Sequence, residues 1–143
     1  MSEYKLNRFV EAQETDYQTA LFEIRSGYKR SHWMWYIFPQ VAGLGFSETS
    51  RYYAIQDIGE ASAYLRHPVL GARLIEVSSA LLELSGDNAT DIFGKPDDMK
   101  LRSSMTLFAE TDGANPVFRQ VLDKFFDGQP DKSTLQILRP PEQ

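Results

Sequence analysis

The chain has 143 residues, of which 42% are hydrophobic and 24% are charged, and its net charge at pH 7 is −5. This balance is that of one globular domain and excludes a disordered chain, while the acidic charge argues against binding nucleic acid or a membrane through bulk electrostatics. The lack of cysteine excludes disulfides and thiolate metal sites, and no apolar run approaches the roughly 20 residues that span a bilayer. Because the first residues show no signal-peptide pattern, we expect a cytoplasmic protein.

The first third of the chain predicts short helices on both sides of an aromatic loop. Asn7 can cap a first turn and Asp16 can cap a second helix. Residues 31–46, SHWMWYIFPQVAGLGF, contain both tryptophans and fit no regular element. Ser47 or Ser50 can then cap a short helix.

The remaining two thirds predict a series of further helices. Asp57 can cap one, and Pro68 can open the next, in which leucine and valine recur at intervals of three and four between positions 70 and 84. Pro96 and Pro116 can start two more.

The pattern contains no strand-like alternation, linker or internal repeat. We therefore predict an all-α fold, a single irregular multi-helical domain over residues 1–143 with its core from about residue 6 to residue 138.

The segment between positions 25 and 53 is locally basic within an acidic protein. Four cations face one carboxylate, a balance of +3, and the five residues are Arg25, Lys29, Arg30, Glu48 and Arg51. This excess favours a small anionic ligand nearby.

Two glycines precede the short helix that starts near Ser50. Gly43 and Gly45 could permit close backbone approach of an anion to the helix N-terminus, where Arg51 would add a charge-assisted contact. Glu48 stands where a dinucleotide fingerprint has its third glycine. The alternative, which is favoured, is that the glycines form a turn and the hydroxyls cap the helix.

The aromatic loop also has two interpretations. For most of its rings, packing between helices is favoured. In the functional interpretation, one or two of the rings of Trp33, Trp35, Tyr36 and Phe38 form a stacking face for a planar group, with His32 and Gln40 supplying polar contacts at its edge. One of Tyr52 and Tyr53 reaches the same pocket, and Tyr53 is the candidate.

On the Pro96 helix, Lys100 and Ser104 lie one turn apart and share a face, which predicts either a solvated surface or a further part of the site. The candidates for proton transfer are His32, Asp57 and Lys100. The two histidines lie 35 positions apart and no metal-binding spacing occurs, so neither a metal site nor a cofactor is predicted.

Several fragments resemble a bacterial family known as domain of unknown function 1810, some members of which carry a calpastatin label. The fragments are HWMWYIFPQ, GLGFSETSRYYAI, EASAYLRHPVLGARL, IFGKPDDMKLRSSMTLF and VLDKFFDG, between about Leu6 and Leu138. The resemblance implies a single, mainly helical cytoplasmic domain and no established activity.

The order of elements is also faintly similar to the NADAR proteins, small helical domains in which an N-glycosidic bond to ribose is cleaved. Their frequent Glu-His-Tyr-Tyr-Gln pattern is replaced here by Ser50, Arg51, Tyr52, Tyr53 and Ala54, so the glutamate is missing. Together with the basic segment, this similarity predicts a nucleotide-like or ADP-ribose-like anionic ligand, with N-glycosidic hydrolysis as the reaction to test. The alternative is a non-catalytic protein-interaction module that uses the aromatic loop.

Overall fold

A computed structural model describes residues 4–139. The domain predicted from the sequence also included residues 1–3 and 140–143, which lie outside this range. The described part forms nine α-helices: α1 (Asn7–Arg25), α2 (Met34–Ile37), α3 (Glu48–Tyr52), α4 (Ile58–Arg66), α5 (Leu70–Glu83), α6 (Ala89–Phe93), α7 (Asp97–Ala109), α8 (Val117–Phe126) and α9 (Lys132–Leu138). No sheet occurs in these residues, so the predicted all-α fold is confirmed. None of their helices combines the length and apolar character that crossing a bilayer requires.

Helix α1 is continuous, and the prediction that Asp16 starts a new helix is wrong. A buried stripe runs along α1 at helical spacing without a break: Phe9, Gln13, Tyr17, Ala20, Leu21 and Ile24. The Asp16 carboxylate accepts a hydrogen bond from the Tyr36 hydroxyl instead of capping backbone N–H groups. Tertiary packing therefore overrides a local capping signal.

Two of the predicted caps are confirmed and one helix begins later than expected. Ser47 caps α3 and Asp57 caps α4 through their side-chain oxygens. Helix α5 begins at Leu70, two residues after Pro68, and the Nδ1 atom of His67 accepts the backbone N–H groups of Val69 and Leu70 at 3.2 Å in the manner of an N-cap.

The core lies between α5 and the helices that surround it. Helix α5 packs against α1, α4 and α8, while α7 packs against α8, α6, α9 and α4. A Cβ atom on Gly71 would lie 2.1 Å from the carbonyl oxygen of Leu65, so α4 and α5 meet more closely than any larger residue permits. The loop after α2 and the short helix α3 lie beside this core.

Candidate ligand-binding site

A buried carboxylate on α1 fixes the entry to the aromatic loop. The Glu23 side chain accepts hydrogen bonds from the backbone N–H groups of Arg30 and Ser31 at 2.8 and 3.0 Å, from the Ser31 hydroxyl at 2.6 Å and from Nε1 of Trp33 at 2.9 Å. Burial alone would raise the pKa of Glu23, but these four hydrogen bonds outweigh it and lower the pKa to about 2. Glu23 therefore stays ionised and holds the loop to α1.

Trp33 belongs to the core, which corrects its proposed role as a ligand contact. Its side chain is fully buried, and its ring centroid lies 6.4 Å from that of Phe38 and 6.3 Å from that of Phe93. The next residues form the short helix α2, which the sequence did not predict, and Met34 and Ile37 both lie buried one turn apart. Trp33 is thus unavailable to a ligand.

Beyond α2, the loop is held to the segment that precedes α4. The carbonyl oxygen of Gln40 accepts the N–H of Ile55 at 2.8 Å, and the N–H of Ala42 donates to the carbonyl oxygen of Ile55, also at 2.8 Å. This isolated parallel bridge fixes residues 40–42 beside residues 54–56.

Arg8 of α1 holds the other side of the same region. Its Nε atom donates to the carbonyl oxygen of Tyr52 at 2.7 Å and its Nη2 atom to that of Ala54 at 2.8 Å, while Nη1 lies 3.0 Å from a carboxylate oxygen of Glu60. Arg8 and Glu60 are both largely buried. Sequence reasoning missed these anchors, because nothing near Arg8 in the chain marks contacts with residues more than forty positions away.

Between these fixed segments lies a cavity of about 230 Å³. Its lining contains two rings, one cation and several small or polar residues: Trp35, Gln40, Val41, Ala42, Gly43, Gly45, Ser50, Arg51, Tyr53, Ala54 and Gln56. Most of the residues that the sequence analysis proposed as ligand contacts are thus brought together in space. Whether they bind a ligand remains a prediction.

Several polar groups in this lining have no protein partner. Within residues 4–139, no hydrogen bond or ion pair engages the Arg51 guanidinium, the side-chain amides of Gln40 and Gln56, or the Tyr53 hydroxyl. Burial raises the pKa of Tyr53, and the neighbouring Tyr52 raises it further, so its hydroxyl stays protonated and able to donate. The cavity therefore offers hydrogen-bonding groups that the fold itself does not use.

The glycines and hydroxyls before α3 serve the local structure. A Cβ atom on Gly45 would lie 2.6 Å from the Ser50 Cβ, so Gly45 permits the loop to pack on α3. The Ser47 hydroxyl accepts the N–H of Ser50 at 3.1 Å and lies 2.8 Å from the Ser50 hydroxyl. Gly43 adopts a positive φ of 103°. These contacts match the turn-and-cap interpretation rather than an anion cradle on the helix N-terminus.

The basic segment does not form one patch, which corrects the expectation drawn from its local charge. Arg25 lies 3.9 Å from Glu76, and Lys29 lies 2.9 Å from Asp97. Folding therefore disperses and partly neutralises the excess seen along the chain. Of the four cations in this segment, only Arg51 lines the cavity.

Lys100 lies beside the cavity rather than in its lining. Its Nζ atom lies 5.0 Å from the Trp35 ring centroid and 3.4 Å from an Asp97 carboxylate oxygen. It lines an adjoining cavity of about 250 Å³ that shares Gln40, among others, with the first. Lys100 therefore borders the first cavity through the Trp35 ring and lines the adjoining cavity directly. Asp97 partly offsets its charge.

Two other predicted residues lie away from the cavity. Ser104 is fully buried and its hydroxyl has no hydrogen-bond partner in the described structure. It stands three positions after Leu101 and four before Phe108, which places it on the buried face of α7. His32 is exposed and is not part of the lining.

The candidates for proton transfer do not converge. Asp57 is occupied as the α4 cap, and the lining of the 230 Å³ cavity contains neither a histidine nor a carboxylate. No cluster of three histidine, aspartate or glutamate side chains that could hold a metal ion occurs in residues 4–139. The three candidates for proton transfer therefore lie outside the lining of this cavity.

Comparison with known proteins identifies the family. The family model described as "Protein of unknown function (DUF1810)" matches residues 3–138. The crystal structure of the conserved hypothetical protein Rv1873 from Mycobacterium tuberculosis matches with a TM-score of 0.94 and 44% sequence identity, covering 98% of this chain and 100% of that chain. No curated protein matches the chain. The chain therefore belongs to the DUF1810 family, as the resemblance of its sequence fragments predicted.

Proposed function

We propose that the cavity beside α3 binds a small, anionic, nucleotide-like ligand. The observation that carries this proposal is the Arg51 guanidinium, which lines the cavity without any ion pair in the described structure, next to the partly buried rings of Trp35 and Tyr53. An arginine can bind a phosphate or carboxylate through two parallel hydrogen bonds, and aromatic faces stack on planar groups. The free amides of Gln40 and Gln56 can contact the edge of such a ring.

The size of the cavity limits what it can enclose. At about 230 Å³ it is smaller than the roughly 300–1,000 Å³ of pockets that enclose drug-sized ligands. A single ring system fits this volume, and the rest of a nucleotide or of ADP-ribose would extend beyond it.

Hydrolysis of an N-glycosidic bond has less support than binding. Such a reaction needs a group that transfers a proton or stabilises charge within hydrogen-bond reach of the reacting atom. The Glu60 carboxylate lines an adjoining cavity, but its two oxygens accept the Gln56 N–H at 2.7 Å and pair with Arg8 at 3.0 Å. An enzymatic role would require that the natural protein consumes ADP-ribose or NAD during incubation and that a Lys100→Ala variant does not.

A protein-interaction module is the second candidate, and one observation favours it. Phe46, in the loop before α3, is 79% exposed, although Trp33 is buried and Trp35 is only partly accessible. An exposed aromatic side chain is a frequent anchor in interfaces. A Phe46→Ser variant that loses a partner but keeps its ligand response would support this function alongside the first.

A thermal-shift screen tests the proposal. NAD, ADP-ribose and nucleoside monophosphates are added to the protein, and a ligand at 100 times its dissociation constant should stabilise it by about 2.7 kcal/mol. An Arg51→Gln variant should lose the shift. Arg66→Gln is the matched control, because Arg66 is also exposed and without an ion pair in residues 4–139 but lies outside this lining. No shift with any compound would remove the basis of the proposal.

We also propose a cytoplasmic location and no nucleic-acid partner bound through bulk charge. The location rests on a sequence without cysteine or a long apolar run, and the second proposal rests on the net charge of −5, which opposes attraction to a polyanion.

A further inference from the structure

A second cavity adjoins the first and shares two of its residues. It has a volume of about 390 Å³, and Arg51 and Gln56 line both spaces. The remaining lining comes from the start of the chain and the ends of α3 and α4: Tyr4, Lys5, Arg8, Tyr52 and Glu60. Tyr53 lines the first cavity and Tyr52 the second, with their ring centroids 4.8 Å apart, so the adjacent tyrosines stand on either side of the boundary.

The charges of the second cavity leave an excess of two positive charges. Arg8 and Glu60 offset one another as a largely buried ion pair at 3.0 Å. Lys5 and Arg51 are both exposed, and neither forms an ion pair within the described residues. Two free cations thus line one space in a protein whose overall charge is negative.

The cavity on the Lys100 side lacks this excess. Lys100 pairs with Asp97 at 3.4 Å, and Asp131 places a carboxylate in the lining of that space. Of these two neighbouring cavities, the one lined by Lys5 therefore offers the better charge match to an anion.

We propose that one ligand occupies both cavities, with a planar ring beside Trp35 and Tyr53 in the first and a phosphate group between Lys5 and Arg51 in the second. This inference rests on the proposed function and names the ligand class as a nucleoside phosphate. A phosphate monoester carries about −1.5 to −2 charges at pH 7, which matches the two free cations. Arg51 lines both spaces, so it stands where the ring-bearing part and the phosphate join.

Lys5 becomes a specificity residue under this proposal, because it contacts only the phosphate. A nucleoside without phosphate keeps the ring contacts and loses both charge pairs. The protein should therefore bind AMP about tenfold more tightly than adenosine, which corresponds to two partly exposed charge-assisted contacts.

Calorimetric titration of the whole protein with AMP, adenosine and inorganic phosphate tests this arrangement. Lys5→Gln should weaken AMP binding by about threefold or more and leave adenosine binding unchanged. Lys132→Gln, which removes an exposed lysine without an ion pair in residues 4–139 that lies outside both linings, should change neither. Inorganic phosphate alone should bind more weakly than AMP.

The outcomes separate this inference from the proposed function. Equal affinities for AMP and adenosine, with no effect of Lys5→Gln, would overturn the two-cavity arrangement while leaving a ring-binding site in place. Phosphate binding as tightly as AMP would overturn the role of the ring. Failure of every ring-bearing compound to bind would overturn the proposed function together with this inference.

Discussion

Two tryptophans only two residues apart lie in regions with opposite polar chemistry. Around Trp33, the carboxylate of Glu23 accepts four hydrogen bonds and the indole N–H is one of the donors. Around Trp35, the Arg51 guanidinium and the Gln40 amide line an open cavity and make no hydrogen bond or ion pair to the described protein. In the first region these groups hold the fold, whereas in the second the Arg51 guanidinium and the Gln40 amide are left free.

The difference indicates which residues of an aromatic loop are structural. Buried polar groups are almost always paired, and a complete network gives a loop one conformation. Unpaired groups beside partly exposed rings contribute little to the fold and are free to contact a ligand. If this division holds, substitutions in the Glu23 network should destabilise the fold strongly and substitutions at the free groups should not.

Replacing Trp33 should destabilise the protein far more than replacing Trp35. Trp33→Ala opens a cavity in the core and leaves Glu23 without one of its donors, so the free energy of unfolding should fall by about 3–5 kcal/mol. Trp35→Ala should cost less than about 2 kcal/mol, because its ring is only partly buried. Urea unfolding of both variants measures the difference, and equal losses would contradict the division.

Replacing Arg8 should destabilise the walls of both cavities. Arg8→Gln leaves the buried Glu60 carboxylate without its charge partner and removes hydrogen bonds to two backbone carbonyls, at an expected cost of about 3 kcal/mol. The unfolding free energy of this variant checks the value. A loss below about 0.5 kcal/mol would show that Arg8 is not an anchor.

Because Glu23 is held in its ionised form, the free energy of unfolding should depend on pH. Its pKa is lowered from the ordinary 4.5 to about 2 in the folded state, so its contribution is complete above pH 4.5 and is lost as the pH falls toward 2. The stability difference between the natural protein and Glu23→Gln should therefore shrink by up to about 3 kcal/mol between pH 5 and pH 2. Urea unfolding of both proteins at pH 5 and at pH 2 measures this change, and a difference that stays constant over this range would contradict the role of Glu23 as an ionised anchor.

Arg51 should matter for ligand binding and hardly at all for stability. Its exposed guanidinium has no partner in the described structure, so Arg51→Gln should change the unfolding free energy by less than about 0.5 kcal/mol. Thermal unfolding without ligand measures this effect. A loss comparable to that of Arg8→Gln would place Arg51 among the structural residues.

Much of the candidate site could be predicted because its chemistry is contiguous in the chain. The rings, glycines, hydroxyls and Arg51 all fall between positions 33 and 53. Ser47 and Asp57 cap helices by accepting backbone N–H groups only three positions later in the chain. Signals of this kind depend on neighbouring residues alone. The sequence could therefore indicate where a pocket forms before any tertiary contact was known.

The remaining features depend on contacts that sequence does not show. Arg8 bonds to a carbonyl 44 positions away, and no local pattern marks it. Trp33 and Trp35 have the same chemistry, and the contacts that distinguish the buried one are with Glu23 of α1 and Phe93 of α6. Ser104 was placed beside Lys100 because one turn separates them, yet the buried face of α7 includes Ser104 and excludes Lys100.

Tryptophan fluorescence during titration with AMP tests the central claim most directly, because the two fluorophores report on the two regions. AMP should change the emission of the natural protein through Trp35, which lines the cavity, and should leave the emission of a Trp35→Phe variant, in which only Trp33 remains, unchanged. Circular dichroism confirms that the variant stays folded. An emission change that persists in Trp35→Phe, or a natural protein whose emission does not respond to saturating AMP, would contradict the assignment of the cavity beside Trp35 as a nucleotide site.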